Sequence, residues 1–129
     1  MKARKETDFS IDLEGVGRFT FGRRTLGDSI AIAVERATLR RGMEPSEIDD
    51  ETAGWTNMLA TLKVLCVSAP EGWDDLTAID LAEHPDAFDH IFDLWTKLIE
   101  KEDSFRGAAK SRSTEAGQGS GADVSVLVP

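Results

Sequence analysis

Cysteine occurs once in this chain, at Cys66, so no disulfide can form within it and a reducing compartment is the default expectation. No run approaches the ~18 apolar residues that a membrane-spanning helix needs. The N-terminal MKARKETDFS has no apolar stretch behind its positive charges, so a secretory signal is not expected. Positive charge is scarce as well. Fifteen Lys/Arg face 24 Asp/Glu, a net charge of −9, which lacks the basic footprint that general nucleic-acid binding requires.

The frames of common active sites are also missing. No serine stands in a Gly-x-Ser-x-Gly frame. Gly15-Val16-Gly17 and Phe21-Gly22-Arg23-Arg24 do not extend into a phosphate-cradling Gly-x-x-Gly or Gly-Lys-Ser/Thr, and they read as turn glycines. Cys66 lies on an apolar stripe without a neighbouring base, which suits a structural thiol better than a nucleophile. His84, Asp86, Asp89, His90 and Asp93 fall within ten residues. Their spacing does not place both histidines on one helix face, so they read as a solvated acidic face rather than a zinc site. No catalytic residue, metal or cofactor is expected.

What is present is one domain's worth of chain, 129 residues that are 40% hydrophobic. Phe9, Ile11 and Leu13 alternate with polar residues, and so do Phe19 and Phe21, with Gly15 and Gly17 between the two runs. Period-two alternation around glycines predicts a hairpin with one buried face, which must pack on helices. Leu26, Ile30, Ala33, Val34 and Ala37 fall on one face of a first helix and Ile32 and Leu39 on another, so contact on two sides is expected, with the hairpin and with a helix; Arg40, Arg41 and Gly42 stand at its end. Ser46 or Asp49 can cap a second helix, whose stripe Trp55, Met58, Leu59, Leu62, Leu65, Cys66 and Ala69 runs to Pro70. A polar connector with Trp73, Leu76, Ile79 and Leu81 follows. A third helix is predicted over 86–106, on the stripe Phe88, Ile91, Phe92, Trp95, Leu98, Ile99 and Phe105, closed by Gly107. The expected fold is α+β and mostly helical. It has a flexible 1–7, a single domain over 8–107 built as a β-hairpin on a three-helix core, and a Gly/Ser/Ala-rich disordered tail over 108–129. Within that tail, Val124–Val128 is either a short adhesive peptide or unconstrained chain.

Charge is unevenly spread. Residues 1–41 hold nine Lys/Arg against six Asp/Glu, and residues 42–103 hold three against sixteen. Such a division suits head-to-tail or partner contacts, and it also suits simple solubility. Arg23, Arg24, Arg36, Arg40 and Arg41 could gather into a basic patch for an acidic partner. No aromatics interleave with them as a nucleic-acid stacking platform would need. Trp73, at the break after Pro70 and Gly72, either caps the core or serves as an interface anchor.

Taken together, Phe9-x-Ile11-x-Leu13, an Arg-rich first helix, MLATLKVL at 58–65 closed by APEGWD at 69–74, and KEDSFRG at 101–107 form a pattern. It resembles the small tail assembly chaperones of long-tailed bacteriophages and prophages, over residues 8–107 and best over 58–75 and 98–107. The resemblance implies a non-enzymatic protein that binds the tape-measure protein, keeps it soluble and helps recruit tail-tube subunits. It also implies action in the host cytoplasm, absence from the mature virion, and a frameshifted longer form attached at the tail. Partner contacts are then expected at Trp73, Phe105, Arg106, Arg23, Arg24, Arg40 and Arg41. Two alternatives stay open: a structural connector or terminator of the virion tail, and a small regulatory protein that binds through its arginines.

Overall fold

A computed structural model describes residues 4–117. Three antiparallel strands form one sheet in the order β1-β2-β3, and three helices accompany it, so the α+β, mostly helical expectation holds. The chain falls into two compact units, Met1–Thr96 and Lys97–Pro129.

In the first unit, β1 (Phe9–Leu13) and β2 (Gly17–Phe21) form the expected hairpin, with Phe9 opposite Phe21 and Ile11 opposite Phe19. Alternation does its work here: Ile11, Leu13, Phe19 and Phe21 are buried, while Asp12 and Arg18 pair across the outer face. Gly17 starts β2 at a φ of +139°, and a Cβ there would stand 2.9 Å from the Pro70 ring. The glycine is therefore needed both for its backbone conformation and for the close approach of Pro70.

Helix α1 (Leu26–Leu39) opens on a reciprocal cap: Thr25 Oγ1 accepts from the Asp28 amide and Asp28 accepts from the Thr25 amide. Arg41 (φ 53°) and Gly42 (φ 84°) turn the chain left-handed after it, as the Arg-Arg-Gly ending predicts. Its packing is one-sided where contact on two sides was expected. The stripe Leu26, Ile30 and Val34 is exposed, at 82%, 61% and 61%, and only Ile32 is buried. Beside the buried Ile32, two polar contacts join the helix to its neighbour α2 (Asp50–Leu65), and Leu39 lines a cavity with Leu59 and Leu62 of α2. Lys63 Nζ lies 2.9 Å from Glu35 Oε1, and Arg36 donates to Asn57 Oδ1 at 3.3 Å.

Helix α2 begins at Asp49, whose carboxylate accepts from the Thr52 amide, and hydrogen bonding from the Thr52 side chain, then from its amide, holds the acid below its ordinary pKa. Its C-terminal half is enclosed: Ala60, Thr61, Leu62 and Leu65 are all buried. The helix was expected to reach Ala69, but it stops at Leu65. Cys66–Ser68 form β3, which pairs with β2 through a register shift at Thr20/Phe21. The open edge of β2 offers backbone partners that a further helical turn would leave unused, and the Gly22 amide donates to the Leu65 carbonyl at 2.9 Å. The connector follows, with Asp75 capping a short 3-10 turn at Leu76–Ala78.

Helix α3 (Ala87–Gly117) supplies Ala87, Ile91 and Leu94 to the buried set of the first unit. Phe88 and Phe92, expected to face inward, are 53% and 56% exposed. In the second unit the helix passes through Gly107, where a stop was expected, and continues to Gly117, with Leu98 and Glu102 buried. Residues 4–7, expected to be flexible with the rest of 1–7, lead into a turn closed by Asp8 N donating to the Lys5 carbonyl. Residues 1–3 and 118–129, including the Val124–Val128 segment and most of the expected tail, lie outside the described residues.

Candidate protein-binding groove

Trp55 and Leu59 project from one side of α2, and Phe88 and Ile91 from the first turns of α3. The connector between these helices lays Leu76, Ile79 and Leu81 along the same space. The result is an apolar groove of about 250 Å³. Trp55 and Phe88 meet edge to face, with ring centroids 5.0 Å apart, and fix one wall. Leu81, Phe88 and Phe92 stand half-exposed or more. Phe92 lies one helical turn beyond Phe88 and extends the apolar ridge. Asp89 and Asp93 follow it on the adjacent strip of α3 and are exposed.

A second cavity, of about 210 Å³, lies deeper, between the sheet and the helices. Phe19, Phe21, Leu62, Trp73 and Leu94 line it together with Cys66, and Leu59 and Leu76 border both spaces. The Cys66 thiol is buried and donates weakly to the Ser68 carbonyl at 3.4 Å. Burial pushes it up to about 11, and Asp74 adds in the same direction. At pH 8 the native chain is therefore expected to react with iodoacetamide roughly 100-fold more slowly than the same chain in urea, because that much less of the thiol is ionised. Equal rates in both states would place the thiol at the surface.

The residues expected to bind a partner separate into distinct environments. Trp73 takes the core alternative. It is 6% exposed and sits edge-on to Phe19, His84 and His90, with centroid distances of 6.4, 5.4 and 5.9 Å. It cannot serve as a surface anchor in this conformation. His84 and His90 thus pack on an indole, and among the described residues no three His, Cys, Asp or Glu gather as a metal would need. Arg23 and Arg24 precede α1 and are exposed, whereas Arg40 and Arg41 follow it, Arg40 half-buried and Arg41 exposed. A 14-residue helix places these two pairs about 21 Å apart, so the basic patch they could have formed is divided between its two ends. Arg36 is engaged with Asn57. Phe105 and Arg106 belong to the second unit, where Phe105 is half-buried and Arg106 pairs with Asp103.

The groove itself was only partly foreseen. Trp55, Leu59, Phe88 and Ile91 were assigned to core stripes, and a stripe at helical spacing has the same form whether it meets a core or leaves one side open. The available signal was an excess: the third helix carries more apolar residues per turn than one buried face can use.

No family model, curated protein or solved structure matches the chain. No helix among the described residues is long and apolar enough to cross a membrane.

Proposed function

We propose that this chain is a small phage tail assembly chaperone that holds an amphipathic helical segment of the tape-measure protein in the α2–α3 groove. The observation that carries this reading is the groove with its exposed Leu81 and Phe88, continued by the exposed Phe92 one turn along α3. A protein that has enough core residues to close itself nevertheless leaves large apolar side chains in water, and such a surface suits the apolar face of a helix. The resemblance of residues 58–75 and 98–107 to that family supports it further. In this role the chain keeps the tape-measure protein soluble in the host cytoplasm, helps recruit tail-tube subunits, and is released before the virion matures. No chemical step is required of it.

The test is co-expression with the tape-measure protein encoded alongside it, followed by affinity capture on a tag at residue 1. A soluble complex is expected, with the tape-measure protein insoluble when this chain is omitted. A tape-measure protein that is soluble alone and is not retained would overturn the proposal. Recovery of this chain in purified virions would instead favour a structural tail component.

A further inference from the structure

Helix α1 presents to solvent a face that bears no charge. Its three charged residues, Asp28, Glu35 and Arg36, all lie on the half-buried side, and the exposed positions are apolar, small or hydroxyl-bearing from Leu26 to Thr38. Leu26, Ile30 and Val34 run down the middle of this face, and the arginines stand only at its two ends. Such a surface has the make-up of an interface: an apolar centre with charge confined to the rim.

The groove has the opposite rim. Between residues 42 and 96 the chain carries thirteen Asp/Glu against Lys63 alone. Asp89 and Asp93 flank the Phe88–Phe92 ridge, Asp80 and Glu83 flank Leu81, and all four are exposed. A single chain therefore displays an uncharged helix face between arginines and an apolar groove between carboxylates.

We infer that α1 of one copy docks in the α2–α3 groove of a second copy, so that the chain self-associates head to tail. Charge selects this pairing over the symmetric ones. Two α1 faces brought together, parallel or antiparallel, would set arginine pairs against arginine pairs, and two grooves brought together would set carboxylates against carboxylates. Only the heterologous contact places unlike charges at the rim while covering both apolar centres. Because each copy keeps one unused face of each kind, association continues beyond two until a ring closes or a client fills a groove. The inference does not depend on the identity of the client.

The test uses the full chain alone, with no client present, in sedimentation velocity and light scattering from 5 to 200 µM. The wild type is expected to rise above its 14.1 kDa monomer mass with concentration, and to return toward it when salt is raised from 50 to 500 mM as the rim charges are screened. Ile30→Asp disables the α1 face and Phe92→Asp disables the Phe88–Phe92 ridge that borders the groove; both positions are exposed, and circular dichroism checks that each variant folds. Each variant alone is expected to be monomeric. Mixed in equal amounts, they should form a two-chain species and nothing larger, since Ile30→Asp keeps an intact groove and Phe92→Asp keeps an intact helix face. A wild type monomeric at 200 µM overturns the inference. So does a single variant that still associates, or a mixture that stays monomeric while the wild type associates, which would signify a symmetric interface. Should either variant fail to fold, Val34→Lys and Asp89→Lys replace them, with the same outcomes read in the same way.

Discussion

Trp73→Ala is expected to lower the unfolding free energy by about 3–5 kcal/mol, the range for removing a large buried aromatic. The indole is almost fully enclosed, and it joins parts of the chain that are far apart in sequence: Phe19 of the hairpin, His84 of the connector and His90 of α3. It also lines the deeper cavity, so its loss enlarges a space that is already present instead of letting the walls collapse. A domain of this size has only about 5–15 kcal/mol in total, so the variant stands close to the folding threshold. Urea unfolding followed by far-ultraviolet dichroism measures the change. A loss below about 1 kcal/mol would mean that the indole is not a core element, and the surface-anchor role would then return.

Phe92→Asp should behave in the reverse way. The ring is 56% exposed, so stability is expected to stay within about 0.5 kcal/mol of wild type. Binding of a tape-measure segment, measured by calorimetric titration, is expected to weaken at least ~30-fold, the scale of losing an aromatic anchor worth about 2 kcal/mol and adding an unpaired carboxylate to an apolar contact. Unchanged affinity would remove the Phe92 end of the ridge from the binding surface. The two variants separate the two uses of aromatic residues here: Trp73 supports the fold, and Phe92 is free to meet a partner.

The contrast between these two residues marks how far the sequence could be read. The hairpin was legible because period two in Phe9-Ile11-Leu13 and Phe19-Phe21 admits one reading once glycines separate the runs. Helix α2 was legible in its start, since Asp49 caps it, and not in its end. Cys66, Val67 and Ser68 leave the helix because the edge of β2 is available to them, and that is a tertiary fact absent from the local sequence. For α1 both stripes were legible, but contact was expected on two sides and only the Ile32 side is covered. A stripe of Leu26, Ile30 and Val34 defines a face without saying what meets it, and the Glu35–Lys63 and Arg36–Asn57 contacts beside the buried Ile32 join residues distant in sequence. The groove was obscured for the same reason, its residues being indistinguishable from core residues by spacing alone. Trp73 was open to both readings, and its neighbours in space decided it.

The direct passage from α2 into β3 has a kinetic consequence. With Leu65 the last helical residue and Cys66 the first of the strand, no loop intervenes to absorb motion between helix and sheet. Fraying of the last turn of α2 must pull β3 from the edge of β2, and release of β3 must free the Leu65 carbonyl from the Gly22 amide. Helix end and sheet edge thus open together, and in hydrogen exchange the Gly22 amide should report on the same cooperative unit as the amides of the final turn of α2. The seam converts what would be two local fluctuations into one larger and rarer event, and so protects a sheet edge that would otherwise be free to pair with another chain.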